Sequence, residues 1–512
     1  MAMSNNLFLK QFVLIFSVLV FCGLKVRASN IQGSAPDDAG KTIYLAQKPF
    51  LLSDHLDIIN TYPINEEGEF LINFQPEKTN RYYLIIRNRI AEIIIQPETN
   101  YKLKFPGFSE NQAQRLKLNQ VQLEIIDLDK YDPNFVLAKF DASYDQFYAE
   151  VSYDLAIKTT ASGGYRNSRA AWLNETDLTA KRSKRQQEEL QTRTKLDSIF
   201  EVFKSDVDEL RLLGIDVYAE KYIEFVFGQV AFDMAIINTE ELRGYIEIDV
   251  VKSKHPEAIN LLKLAYAPLL QKSFFGDGYD DFRTAINADA DWKKMMKALI
   301  ASGQVRDDEN AAVIALVLMK MALHHPDFKP LMVLKTMNDL VESKHPLSKD
   351  AERIIEDELA GRRGMKMPDF TLLNERDEVK TARDFQEQWT YIIFFNSKST
   401  ASLQELILLE KLVQKYGRQI SFVTICLDDD PKALNNFLAR YPNYRWDFLY
   451  GGSAPLLLQD FLVDAVPTAM LFNPNAQLHA TYTKKPSEGV EALFQNLLKA
   501  KQRVLRIKVW DD

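Results

Sequence analysis

A strand, a turn and a helix follow one another at residues 392–416, and this segment constrains the fold more than any other. Its first four residues, Ile-Ile-Phe-Phe, are β-branched or aromatic and predict a buried strand. Ser399 comes after a short polar turn and can cap the following helix by accepting a backbone hydrogen bond. Ser402 stands three residues further on. A serine hydroxyl stays protonated at neutral pH, so neither side chain offers a nucleophilic anion.

Length and charge restrict the class of protein. The chain has 512 residues with 46% hydrophobic content, which is enough to bury several cores and predicts about three domains. The formal net charge of −8 is modest for this length, and no strongly basic block is present. We therefore expect no nucleic-acid partner.

The N-terminus predicts export. Lys10 precedes an apolar run at residues 12–24, and Val26-Arg27-Ala28 then gives the small-x-small pattern of a signal-peptide cleavage site. Residues 1–28 are thus the predicted signal peptide, and Ser29 is the expected mature N-terminus. The run is short for a membrane span, and no later segment stays apolar for long enough. We expect a periplasmic or otherwise exported protein with no transmembrane segment after cleavage.

The two cysteines bear on anchoring and on redox chemistry. Cys22 offers an alternative, lipoprotein anchoring, but Phe21 stands before it where the processing enzyme requires a small residue. Cleavage after Ala28 leaves Cys426 as the single thiol, without a disulfide partner. Cys426 lies in a β-rich run at residues 421–427 and is predicted to be a buried, inert thiol in a central strand.

The hydrophobic pattern changes twice along the chain. Strand-like runs at 42–45, 70–74, 82–86 and 92–95 predict an N-terminal β-sandwich at residues 29–128. Helical periodicity then predicts an all-α domain at 129–360, with helices at 222–238, 255–272, 292–301, 309–324 and 329–341. An α/β domain at 361–502 and a tail at 503–512 complete the chain.

Metal and cofactor sites are not expected. Three His-Pro pairs, at His255, His325 and His345, are typical of helix boundaries. No two of the six histidines have the i, i+4 spacing of a helical metal site, and no Gly-rich phosphate loop is present.

The C-terminal domain resembles the TlpA-like and peroxiredoxin-like thioredoxin families. Met-Pro-Asp-Phe-Thr-Leu at 367–372 matches their opening strand, and Phe-Phe-Asn-Ser at 394–397 matches the second main strand. Ser399 and Ser402 fall on the Cys-x-x-Cys of these families, and Val466-Pro467-Thr468 matches their cis-proline turn. The N-terminal domain also resembles the β domain ahead of thioredoxin-like modules in exported Bacteroidetes proteins, on residues 31–33, 64–70 and 96–97.

The resemblance implies a thioredoxin-like fold with a cis peptide bond before Pro467. It also implies that Ser399 and Ser402 are degenerate redox positions, because disulfide exchange requires a thiol at each of them. No catalytic residue is therefore expected. The family's peptide-binding surface would remain, with Val466 offering backbone hydrogen bonds beside Pro467. Ser399, at a helix N-terminus, and Lys398 would add a site for a carboxylate or a polar peptide.

Three interpretations of function remain open. The first is a non-catalytic binding or scaffolding protein of the cell envelope, whose partner is an unknown envelope protein or peptide. The second is an envelope thiol-disulfide oxidoreductase of the TlpA-like family, which Ser399 and Ser402 contradict. The third places partner binding on the helical domain, with both flanking domains as supports.

Overall fold

The computed structural model describes residues 29–107, 118–163, 194–246, 255–305, 309–428 and 430–499. The predicted signal peptide with Cys22 and the predicted tail at 503–512 lie outside these ranges. Within the described ranges, no helix combines the length and the apolar character that crossing a bilayer requires.

Nine strands form two sheets in the described N-terminal part of the chain. One sheet has the order β4-β1-β7-β9, and the other has the order β3-β2-β5-β6-β8. The strands are β1 Ser29–Ser34, β2 Thr42–Gln47, β3 Asp57–Pro63, β4 Glu69–Phe74, β5 Asn80–Ile86, β6 Arg89–Ile95, β7 Asn100–Lys104, β8 Asn119–Val121 and β9 Glu124–Ile126. The four runs predicted as strands lie in β2, β4, β5 and β6, which confirms them.

The two sheets pack face to face. Ile31 and Ile72 of the first sheet share one buried core with Ile43 and Leu84 of the second. The second sheet is also covered on its outer face, because side chains from β5 pack there against Leu456 of the C-terminal domain. This five-stranded sheet is therefore buried on both faces over part of its area.

Helices make up the middle of the chain. They are α1 Pro133–Gly163, α2 (which includes 194–211), α3 Val217–Asp233, α4 Thr239–Gly244, α5 Pro256–Tyr266, α6 Lys272–Phe275, α7 Tyr279–Thr284, α8 Trp292–Ala301, α9 Glu309–Ala322, α10 Pro330–Glu342 and α11 Ser348–Leu359. Each of the five predicted ranges contains a helix, but α3 ends at Asp233 and α5 at Tyr266, before the predicted ends at 238 and 272. Helix α3 also begins five residues earlier than predicted, at Val217, because the Asp216 side chain caps it.

Helix α9 is the centre of the largest core. Every residue from 313 to 319 is buried, on all sides of the helix. A helix that is apolar all round must be surrounded by other elements, and α5, α8 and α10 supply that cover. The three His-Pro pairs lie before α5, between α9 and α10 and between α10 and α11, so they mark helix boundaries as predicted.

The C-terminal domain is a six-stranded sheet with helices on it. The sheet has the order β11-β10-β14-β13-β12-β15. Its elements are β10 Thr371–Asn374, β11 Val379–Thr381, β12 Trp389–Phe395, α12 Thr400–Tyr416, β13 Ile420–Cys426, α13 Pro431–Arg440, β14 Asp447–Tyr450, α14 Leu457–Asp460, β15 Thr468–Phe472 and α15 (which includes 491–499). Strands β12, β13 and β14 run parallel, and β15 runs antiparallel to β12.

Alternate side chains of β12 serve two cores. Tyr391 and Ile393 pack with α12 on one face of the sheet, whereas Ile392 and Phe394 pack with Phe461 on the other face. The near-continuous apolar run of this strand is what a central strand of a covered sheet requires. Because β12 and β13 are parallel, the turns that follow them meet at the same edge of the sheet.

Candidate binding site

The turn at residues 396–399 joins β12 to α12 and satisfies its own polar groups. The Asn396 side chain accepts a hydrogen bond from the backbone N–H of Lys398 at 2.9 Å. Its carbonyl accepts another from the N–H of Ser399 at 3.1 Å. The Lys398 side chain is exposed, and Ser399 is half-buried. The turn is thus held in one conformation while its Lys398 ammonium remains accessible to a ligand.

Ser399 and Ser402 both hold structural positions. Ser399 is the N-cap of α12, and its hydroxyl accepts a hydrogen bond from the N–H of Ser402 at 3.3 Å, as predicted. Ser402 is fully buried, and its Oγ lies 3.5 Å from the backbone N of Asn396. The second serine therefore has no solvent access, and the first is engaged in capping.

Asp428 lies against the turn and holds it. The N–H of Ser397 donates to both carboxylate oxygens of Asp428, at 3.2 and 3.3 Å. The carboxylate is 4% exposed. Asp428 was not among the predicted site residues. The sequence did contain a signal for this residue. Asp428 is an acidic residue just after β13, and the carboxyl end of β13 lies at the same sheet edge as the turn after β12.

Cys426 is the buried thiol of the central strand β13, as predicted. Its Sγ donates to Oδ2 of Asp428 at 3.2 Å. Burial, together with the charge of Asp428, raises the pKa of the Cys426 thiol. The thiol is therefore protonated at neutral pH, and a protonated, inaccessible thiol is a poor nucleophile.

Gly452 allows the loop after β14 to approach Asp428. A Cβ atom at this position would lie 2.0 Å from the carbonyl oxygen of Asp428 and 2.8 Å from the hydroxyl of Tyr450. Any residue other than glycine at this position would push the loop away from Asp428.

The peptide bond between Val466 and Pro467 is cis, which confirms the expectation drawn from the resemblance. Both residues are half-buried. Thr468 follows them as the first residue of β15 and pairs with Phe394 of β12. Pro467 therefore lies beside the end of β12, from which the turn with Ser399 departs. The structure brings the four predicted binding residues to one edge of the sheet.

A groove of about 250 Å³ runs past Pro467 on the β15 side. Thr481 and Lys485 form part of its opposite wall. This wall is fastened to α12, because Glu405 accepts a hydrogen bond from the N–H of Ser487 at 2.9 Å. Pro467 is the one predicted binding residue among the described residues that line the groove, and Lys398, Ser399 and Val466 do not line it.

In the described part of the chain, no group of three or more His, Cys, Asp or Glu side chains is placed to hold a metal ion.

Comparisons with known proteins gave structural matches alone. No family model matches the chain, and no curated protein matches it. A crystal structure of a candidate thiol-disulfide oxidoreductase from Bacteroides vulgatus is similar at 22% identity, covering 26% of this chain and 95% of that one with a TM-score of 0.25.

Two further solved structures are similar to about the same extent. A candidate thiol:disulfide interchange protein DsbE from Chlorobium tepidum matches at 24% identity, with 27% and 96% of the two chains covered and a TM-score of 0.24. A thiol-disulfide oxidoreductase from Bacteroides fragilis matches at 21% identity, with 22% and 88% covered and a TM-score of 0.21. At these values the likenesses carry no inference about activity, and the site must be judged by its own geometry.

Proposed function

We propose that the C-terminal domain is a non-catalytic module that binds a peptide or protein, within an exported protein of the cell envelope. The observation that carries this proposal is the turn at 396–399. Ser399 and Ser402 stand where a dithiol site would need two thiols, and both hydroxyls take part in hydrogen bonds of the turn. The neighbouring thiol, Cys426, is buried and protonated. No reversible disulfide can form from these groups.

The ligand is an extended segment that lies along the edge formed by Val466 and the turn. The backbone of Val466 offers hydrogen bonds in the manner of strand addition. The exposed ammonium of Lys398 and the N-terminus of α12 favour a carboxylate on that segment. The Asp428 carboxylate does not contact the carboxylate of such a ligand, because it is buried and accepts hydrogen bonds from Ser397 and Cys426.

The first experiment separates binding from disulfide exchange. Purified protein should not catalyse insulin reduction in the presence of dithiothreitol, and Cys426→Ser should not change that result. A double variant, Ser399→Cys with Ser402→Cys, is the positive control for the assay. Turnover by the unaltered protein that survives Cys426→Ser would support the oxidoreductase alternative and overturn the proposal.

The second experiment tests the binding edge. A displayed library of random extended peptides should yield binders to the purified protein that compete with one another. Lys398→Glu should weaken these binders about tenfold, because it reverses the charge at the turn. Val466→Pro should weaken them further by removing the backbone donor. Lys411→Glu is the matched control, since Lys411 is exposed on the same helix but lies away from the turn. The proposed edge would be refuted if all three variants lost affinity equally, or if neither Lys398→Glu nor Val466→Pro lost any.

A further inference from the structure

A cavity of about 670 Å³ lies between the N-terminal and C-terminal domains. One wall is the outer face of the five-stranded sheet, and the other is the segment at 458–464 that precedes the cis-proline turn. The volume is within the range of roughly 300–1,000 Å³ that small-molecule sites occupy. The described residues that line the cavity include none of the four predicted binding residues.

Apolar side chains from both domains line part of this cavity. Leu56, Ile90 and Leu118 come from the N-terminal domain, and Leu458 and Leu462 come from the C-terminal domain. Leu462 is 46% exposed, a large fraction for an apolar side chain between two domains. A hydrocarbon group in the cavity would remove these surfaces from water.

The cations in the cavity wall are already paired within the protein. Lys48 lies 2.7 Å from Asp54. Arg81 lies 3.0 Å from one oxygen of Glu92 and 3.3 Å from Glu257 of the helical domain. Arg81 is thus shared by two carboxylates, so neither receives its full charge.

Among the described residues that line the wall, Lys48 and Arg81 are cationic, and Asp54, Glu92 and Asp464 carry carboxylates. Glu92 is only partly neutralised, because its partner Arg81 is shared with Glu257. The side chain of Glu92 is 36% exposed and can be reached from the cavity. Burial raises the pKa of Glu92 even though Arg81 acts against this, and Glu257 raises it further. A cation placed beside Glu92 would relieve that penalty.

We propose that this cavity binds an amphipathic amine, that is, a compact aliphatic or aromatic group carrying one ammonium. The ammonium contacts Glu92, and the hydrocarbon packs between Ile90 and Leu462. A carboxylate ligand is disfavoured, because Lys48 and Arg81 are already paired with carboxylates of the protein and Glu92 would repel a further carboxylate.

Calorimetry with three probes of one shape tests this site on the purified full chain. The probes are 4-phenylbutylamine, 4-phenylbutanol and 4-phenylbutyrate. We expect the amine to bind at least about tenfold more tightly than the alcohol, and the carboxylate to bind most weakly. Glu92→Gln should remove most of the amine's advantage and leave alcohol binding nearly unchanged.

A second variant blocks the cavity without touching its charges. Gln459 is exposed and lines the cavity, so Gln459→Trp should fill the space and abolish binding of all three probes. Gln414→Trp, at an exposed position on α12, is the matched control and should bind as the unaltered protein does. The proposal is overturned if amine and alcohol bind equally, if the amine does not bind, or if folded Gln459→Trp retains full affinity.

Discussion

The Sγ atom of Cys426 lies 3.2 Å from Oδ2 of Asp428, and the same carboxylate accepts two hydrogen bonds from the turn that leads to Ser399. One buried acid therefore links the central strand to the candidate binding edge. It orders the turn and at the same time keeps the nearby thiol protonated. A thiol beside a carboxylate differs electrostatically from a thiol at a helix N-terminus, where the pKa falls.

This relationship predicts that Cys426 is unreactive in the folded protein. In a chain carrying Cys22→Ser, the remaining thiol should react with DTNB at pH 8 at least roughly a hundredfold more slowly than in guanidinium, because reaction requires unfolding. The absorbance of the released thionitrobenzoate measures the rate. Rapid stoichiometric labelling of the native protein would show that the thiol is accessible and that its assigned burial is wrong.

The turn itself should still accept a disulfide. Ser399 and Ser402 are the N-cap and third residue of α12, and side chains at this i, i+3 spacing lie close enough for an S–S bond. Ser399→Cys with Ser402→Cys should therefore lose two hydrogens on mild oxidation, which intact-mass spectrometry detects. The single variant Ser402→Cys is the control and should stay reduced. A folded double variant that never closes the bond would mean that the turn differs from the arrangement described here.

Local signals predicted much of the C-terminal domain. The strand around Phe394 and the cap at Ser399 follow from a few adjacent residues, whereas the cis bond at Pro467 follows from the resemblance to thioredoxin-like families. All three were found where predicted. Asp428 was missed, because its role depends on β12 and β13 being parallel neighbours. The contact between Arg81 and Glu257 was missed for a similar reason, since the two residues are far apart in sequence.

Several further elements were missed, and two of them, β3 and α11, illustrate the local reasons. Strand β3, Asp57–Pro63, is largely exposed at the edge of its sheet, so no apolar run reveals it. Helix α11, Ser348–Leu359, is mostly charged and buries few residues, with Ala351 and Ile354 among them. The many charged residues give the segment a polar average, which hides its short apolar stripe in the sequence.

Gly452 should be intolerant of substitution. In Gly452→Ala the added Cβ would meet the carbonyl oxygen of Asp428, a backbone atom that cannot move without shifting the turn. We expect a loss of at least about 2 kcal/mol in the free energy of unfolding, measured by urea denaturation. Gly244→Ala is the control, because a Cβ there meets nothing within 4 Å. Equal stabilities of the two variants would refute the close approach of this loop to Asp428.

The Asp460 carboxylate lies 3.8 Å from Nδ1 of His55, across the contact between the C-terminal and N-terminal domains. Burial raises the pKa of Asp460 from 3.8 to about 6, although the nearby Arg353 acts in the opposite direction. A raised pKa means that the folded protein binds this proton more tightly than the unfolded chain does. The resulting stabilisation is complete below the unfolded pKa and is lost as the pH rises through about 6.

Asp460→Asn should therefore stabilise the protein at neutral pH, because an amide does not ionise. We expect the free energy of unfolding of the variant to exceed that of the unaltered protein by about 1–3 kcal/mol at pH 7.5, and the difference to vanish near pH 4. Denaturation curves at several pH values measure this difference. Asp206→Asn, at an exposed position on α2, should show no such trend. A variant that is less stable than the unaltered protein at pH 7.5 would show that ionised Asp460 favours the folded state, contrary to its raised pKa.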